Sequence, residues 1–141
     1  MGTNIQLRNP SFDDFRGKEG YNDILVQSRP DIIKDIHGAF FDVACDVVET
    51  NTFNSTRIVM AEYDMADQVH AINLAAAKLA RSVADDYSSQ GRKRFVAGSM
   101  GPTTKLPSLG HISLDNMAAA YTEQALGLIE GGVDLLPLET C

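Results

Sequence analysis

The chain has 141 residues, 44% of them hydrophobic and 22% charged, which fits a soluble globular protein with one domain and one core. A net charge of -7 excludes a general nucleic-acid surface, because phosphate binding needs a basic face. Two cysteines, Cys45 and Cys141, stand far apart in no metal-binding spacing, which argues against a disulfide-stapled secreted domain and fits a reducing cytoplasm.

No apolar run approaches the ~20 residues of a membrane span. The first residues lack the basic and apolar regions of a secretory signal. A cytoplasmic protein without membrane contact is therefore expected. Residues 1–29 show no sustained period, and turn-like pairs such as Asn9-Pro10 and Glu19-Gly20 punctuate them. The expectation is a long irregular segment with one short helix around Phe12–Phe15.

A helix is predicted from Pro30, a residue suited to a first turn, with Ile33, Ile36 or His37, Phe40 and Ala44 on one face. The strand Asp46–Glu49 follows, and then a dense polar run from Thr50 to Thr56. In the next helix Met65, Val69, Ile72, Ala76, Leu79 and Val83 step by threes and fours, predicting a span from about Asp64 to Asp86. The basic run Arg92-Lys93-Arg94 reads as a solvated loop before the strand Phe95–Ala97.

Gly98–Ser113 is a Gly/Pro/Ser/Thr-rich loop, and Ser113 can cap a third helix with Met117, Tyr121, Ala125 and Leu128 on one face. Gly131-Gly132 ends it before a last strand, Leu135–Leu138, in which Pro137 cannot donate to a ladder. Val47, Val48, Phe95, Val96, Leu135 and Leu136 are expected to be buried in adjacent parallel strands. Three apolar strands, each running into a polar loop, are how an α/β protein presents a site at the carboxyl end of its sheet. An open three-stranded sheet leaves edges and a face uncovered, so the chain reads as part of a larger closed sheet.

The residues resemble the start of the homocysteine S-methyltransferase domain of the cobalamin-dependent methionine synthase family. The matching stretches are Met1-Gly-Thr-Asn-Ile-Gln6, Arg29-Pro-Asp-Ile-Ile33, Glu49-Thr-Asn-Thr-Phe-Asn-Ser-Thr56, Asn73-Leu-Ala-Ala-Ala-Lys-Leu-Ala-Arg81, Val96-Ala-Gly98 with Gly101-Pro-Thr103, and Glu139-Thr140. They cover nearly the whole chain in the right order. The resemblance implies an α/β fold, a partial (β/α)8 TIM barrel holding parallel strands two to four with their helices. Residues 1–141 would be one incomplete homocysteine-binding barrel domain, with 1–29 irregular and 30–141 built of βα units.

In the family, zinc holds the substrate sulfur as a thiolate that attacks the methyl group of methylcobalamin, since metal coordination lowers a thiol's pKa. The family's first strand and the Asp at its end are expected to be absent, because the chain begins at the Met of Asp-Gly-Ala-Met-Gly-Thr. The zinc-binding cysteine motifs, Gly-x-Asn-Cys and Gly-Gly-Cys-Cys, are not found in the sequence. No catalytic residue, zinc or cobalamin is therefore assigned to this chain, and alone it is expected to be inactive. The implied partners are homocysteine, cobalamin and methyltetrahydrofolate modules of a full-length protein, and a second copy through open barrel edges.

Five substrate-binding residues are expected, Glu139, Gly2 and Thr3 from the resemblance and Asn51 and Thr52 from their place at the mouth of the second strand. Glu139 would meet the substrate ammonium, with a solvent-facing strand end as the alternative. Gly2 and Thr3 match a turn whose backbone N–H groups approach the substrate carboxylate, although a chain end is prone to fray. Asn51 and Thr52 either line the pocket or satisfy the backbone of their own turn. Gly101, Pro102 and Thr103 either shape the pocket floor or simply turn the chain. Cys141 reads as an incidental thiol, since one Cys cannot make a zinc site. Cys45 reads as a buried small hydrophobe. His37, His70 and His111 have no role assigned. A non-catalytic half-barrel that complements a partner is the rival reading. A phosphate-binding loop at Gly98–Thr104 lacks the Gly-x-x-x-x-Gly-Lys pattern.

Overall fold

The structure, a computed structural model, describes residues 1–89 and 91–140; Cys141 lies outside the described residues. Its α-helices are α1 (Gly2–Gln6), α2 (Leu25–Ser28), α3 (Pro30–Asp42), α4 (Arg57–Met60), α5 (Val69–Tyr87) and α6 (Leu114–Glu130), and its strands are β1 (Val47–Glu49) and β2 (Phe95–Ala97). β1 and β2 pair in parallel, Val47 beside Phe95, Val48 beside Val96 and Glu49 beside Ala97. α5 connects them and packs against both α3 and α6. None of the described helices is long and apolar enough to cross a membrane.

The expected last strand exists only as two isolated parallel bridges, Ala97 with Leu135 and Met100 with Leu138. Backbone bonds run from Asp134 N to Val96 O, Gly98 N to Leu135 O, Met100 N to Pro137 O and Glu139 N to Met100 O. The rung missing from that series is the one Pro137 N would donate to Gly98 O. Proline has no N–H, so the ladder breaks there.

One sheet face is covered by helices. Val48 and Val96 pack there with Phe41, Ala80, Val83 and Ala84. The expected burial of all six strand residues is wrong for the other face. Val47 is 43% exposed and Leu135 45% exposed, because side chains alternate along a strand and these two point away from the helix-covered face; Phe95 and Leu136 are half-buried.

Residues 1–29, expected to be irregular apart from one short helix, hold more regular structure than that, with α1 and α2 at their two ends. The short 3-10 turn Phe12–Phe15 forms as expected. A second, Asn22–Ile24, leads into α2. Ile5, Tyr21, Ile24, Leu25 and Val26 join Ile32, Ile33 and Ile36 of α3 and Val69 and Ile72 of α5 in one core cluster. Their apolar side chains are too scattered in sequence to show a period, but they converge in space. Arg8 to Asp35 at 2.5 Å and Arg29 to Asp14 at 3.0 Å pin the segment, and Gly2–Gln6 is helical.

The buried stripes shift slightly from expectation. In α3 the last inward aromatic is Phe41, and Phe40 is 40% exposed, because the stripe steps by four from His37. Ala44 lies beyond the helix end. In α6 Ala120, Gln124, Gly127 and Leu128 are buried, while Met117, Tyr121 and Ala125 are half-buried. Small residues let α6 approach α5: a Cβ on Gly127 would stand 3.1 Å from Asn73 Cβ. Ser113 caps α6, accepting a bond from Asn116 N at 3.2 Å.

The basic run is solvated at Arg92 and Lys93, as expected, but not at Arg94. Arg94 is 7% exposed, donates to Cys45 O and reaches Asp46 at 3.5 Å. Arg92 pairs with Asp46 at 3.0 Å, and Lys93 stands 3.9 Å from Asp134. Arg92 and Arg94 thus tie the chain entering β2 to the start of β1.

Candidate functional site

A pocket of about 500 Å³ opens at the carboxyl end of the strands. β1 supplies Glu49, and the loop after it supplies Thr50, Asn51 and Thr52. The chain after β2 supplies Ser99, and the bridged segment delivers Glu139.

The loop after β1 folds through its own short side chains. Thr52 Oγ1 donates to Ser99 O at 2.7 Å. Its single proton being used there, Thr50 must be the donor in the 2.7 Å Thr50–Thr52 hydroxyl pair. Thr50 Oγ1 in turn accepts from Ser99 N at 3.0 Å. Two helices hold the same loop from behind. Gln124 Nε2 donates to Thr52 O at 2.9 Å, and Asn73 Nδ2 donates to Ser55 O at 2.9 Å.

Of the five substrate-binding residues suggested by the sequence, Gly2, Asn51, Thr52 and Glu139 line this pocket. Thr3 is exposed on α1 and outside the lining. Asn51 and Thr52 line the pocket, and the backbone they satisfy is not that of their own turn but of distant segments, Asn51 Nδ2 donating to Asn22 O at 2.8 Å and Thr52 to Ser99 O. Ser99 Oγ donates to a Glu139 carboxylate oxygen. Gly101 is a packing turn beneath Phe53: its Cβ would strike Phe53 O at 2.4 Å, so Gly101 shapes the loop without lining the pocket. Thr103 bonds its hydroxyl to Lys105 O at 2.6 Å.

Several residues here had escaped the sequence reading. Glu49 is exposed, yet partial desolvation of its carboxylate in the pocket, and next the Glu139 charge, raises its pKa above the ordinary value. Asp23 is 2% exposed in the pocket wall. His37, 1% exposed, reaches the pocket from α3 with Nε2 unpartnered, and burial lowers its pKa to about 4, so the ring is neutral. Cys45 is half-buried in the lining rather than a core hydrophobe. His70 bonds Glu130 at 2.8 Å on the exposed surface, away from the pocket. Among the described residues no group of three His, Cys, Asp or Glu side chains is placed to hold a metal ion.

A parallel sheet backed by helices on one face, with acidic and hydroxyl groups gathered where its strands end, is the α/β arrangement that binds small polar ligands at strand termini. The chain belongs to the homocysteine S-methyltransferase family, whose match spans residues 1–141. It is 47% identical over 141 residues to the methionine synthase of Mycobacterium tuberculosis (strain ATCC 25618 / H37Rv). It is 45% identical over the same length to that of Mycobacterium leprae (strain TN). In each case all of this chain is covered, and it spans 12% of the relative's length. The crystal structure of the metallated form of the homocysteine methyltransferase MmuM from Escherichia coli matches 99% of this chain and 51% of that one. The TM-score is 0.78 at 21% identity, a likeness of fold.

Proposed function

We propose that this chain is the part of a methionine synthase-type homocysteine S-methyltransferase that forms strands two to four of a (β/α)8 barrel and holds the amino-acid end of homocysteine. The complete protein would transfer a methyl group to the homocysteine thiolate in methionine biosynthesis, in the cytoplasm. The observation that carries this reading is the placement of Glu49 and Glu139 in one pocket, where the Glu139 charge adds to desolvation in raising the Glu49 pKa. Two carboxylates so placed gain from a cation between them, and the homocysteine ammonium is one. Glu139 takes the ammonium, Asn51 and Thr52 set the shape of the wall, and the Gly2–Thr3 backbone at the rim takes the carboxylate.

The described residues do not fit the zinc that the family resemblance implies, since no donor cluster is present among them. The role proposed here is therefore confined to binding and orienting the amino acid. The isolated chain is proposed to be inactive, with cobalamin and methyltetrahydrofolate modules as partners only in a complete protein. The test is a titration of the 141-residue chain with L-homocysteine and with its des-amino analogue, 4-mercaptobutyrate, followed by amide NMR. Homocysteine should move the Asn51, Thr52 and Glu139 amides and the analogue should not. Equal shifts from both would remove the ammonium site.

A second reading, a non-catalytic half-barrel that associates with a partner, is favoured by the uncovered sheet face. There Val47 is 43% and Leu135 45% exposed, in the strand and the bridged segment that flank β2.

A further inference from the structure

Asp23 belongs to the pocket wall, but the ammonium site just described does not use it. It sits in the Asn22–Ile24 turn, remote in sequence from the loop it touches. Its Oδ2 accepts from Asn54 N at 2.8 Å and from Ser55 Oγ at 2.8 Å. Because Ser55 spends its proton on Asp23, Tyr21 must donate in the 3.1 Å Tyr21–Ser55 pair, giving a chain from Tyr21 through Ser55 to the carboxylate. Beside it, Asn22 O accepts from Asn51. The turn is thus fastened to both ends of the loop that lines the pocket. None of the ion pairs among the described residues includes Asp23. An asparagine could accept the same two bonds without the cost of a buried charge. The charge therefore needs a reason beyond holding two segments together.

We propose that Asp23 is a positioning residue of this site: its buried carboxylate holds the Asn51–Asn54 wall against the Tyr21–Ile24 turn, and ligand affinity rests on that charge. The ligand class, an amino acid with a free ammonium, rests on the reading given under Proposed function. A charged acceptor makes bonds roughly twice as strong as a neutral one, which fixes the wall more tightly. It also adds a third negative charge to a pocket that already holds Glu49 and Glu139. Burial raises the Asp23 pKa to about 7, against the pull of the Ser55 and Asn54 bonds, so the charge is lost as pH falls through neutrality. The other titratable groups around the pocket are Tyr21 in the same segment, His37 of α3, Glu49 of β1, Glu139 and the Met1 amino group.

The test compares the 141-residue chain with Asp23→Asn, which keeps an acceptor oxygen and removes the charge, and so imitates the protonated form. In the parent chain the Asn54 amide should titrate with a midpoint of about 7. Homocysteine affinity should rise about tenfold across that midpoint, the scale expected when neutral bonds become charge-assisted ones. In Asp23→Asn both should be flat, with affinity at the parent's low-pH level. At pH 8 this variant should melt no lower than the parent, since a desolvated charge has gone. A tie that is only structural predicts the reverse, a lower melting temperature with binding lost in proportion. Ser55→Ala, which keeps the charge, should retain the Asn54 titration. A pH-independent Asn54 amide in the parent, a parent-like pH profile in Asp23→Asn, or a lower melting temperature for Asp23→Asn at pH 8 would each overturn the proposal. If the parent binds no homocysteine at any pH, the assigned ligand fails, and the Asn54 titration with the melting comparison still decides whether the charge holds the wall.

Discussion

Gly131, where α6 ends, is the position at which one added methyl group should cost most for its size. Its φ of -74° is ordinary for any residue, so no backbone strain demands glycine. Space does. A Cβ there would stand 2.3 Å from Ala77 Cβ and 3.0 Å from Leu74 O, both on α5. Carbon atoms settle at about 3.5–4.0 Å, so in Gly131→Ala the end of α6 must retreat by more than about 1 Å. That retreat loosens the cluster of Ala77, Met100 and Leu128 and shifts the segment that carries Glu139. Overpacking of this kind costs about 1–3 kcal/mol. The reduced freedom of the unfolded alanine chain returns about 0.4–1 kcal/mol. The net loss should be about 1–2 kcal/mol, or a fall in Tm of roughly 3–6 °C for a domain of this size. Thermal and urea unfolding would measure it. Adding Ala77→Gly removes the atom that is struck, so a double-mutant cycle should show a favourable coupling of about 1 kcal/mol. A Gly131→Ala chain that unfolds like the parent, or a cycle with no coupling, would refute the close approach of α5 and α6.

Glu139→Gln should bring the Glu49 pKa down, because the Glu139 charge is its second cause of elevation after burial; carboxyl NMR titration reads this, and an unmoved Glu49 would show that the two acids do not share a field. The same variant should abolish the homocysteine-dependent amide shifts while leaving the melting temperature nearly unchanged. The purified chain should neither methylate homocysteine with methylcobalamin nor retain zinc at stoichiometric level; turnover, or one zinc per chain by elemental analysis, would reverse the proposed division of labour. Sedimentation at micromolar concentration should show self-association through the uncovered sheet face and strand edges. A sharply melting monomer that binds no hydrophobic dye would count against an incomplete barrel.

What the sequence revealed depended on how local each interaction is. The long helix α5 was legible because Val69, Ile72, Ala76 and Val83 repeat on one face, and those four are buried; its expected start near Asp64 was too early, since Met65, though buried, precedes a separate 3-10 turn at Ala66–Gln68. β2 was legible to the residue, and Ser113 was readable as a cap, because both signals lie within a few positions. The 1–29 segment was not, since Tyr21 and Ile5 find their partners on α3 and α5, far away in sequence. The last strand was half legible: Pro137 was recognised as a break, but its effect on the ladder needs the register against Gly98. Asn51, Thr52 and Glu139 stood out as polar groups directly following strands. Asp23 did not, because its partners Asn54 and Ser55 are 31 and 32 residues away and nothing near it marks a site.

The two faces of the sheet explain why the site should act at full strength only when covered. The helix-side face is closed by Phe41, Ala80 and Val83 and sets the backbone. The opposite face is apolar at Val47 and Leu135 and acidic at its carboxyl end, where Glu49 and Glu139 meet. Two unit charges 4 Å apart attract by about 1 kcal/mol in water and by about 4 kcal/mol at the effective dielectric typical of a protein surface. Covering the open face with further strands would move the acidic end from the first condition toward the second. The attraction for an ammonium would grow several-fold, and so would the repulsion between the two acids while the pocket stands empty. The same step that satisfies the apolar end of this face therefore makes the acidic end demand its cation. The isolated chain should bind homocysteine weakly, and the assembled barrel should bind it tightly and select against ligands that lack the ammonium.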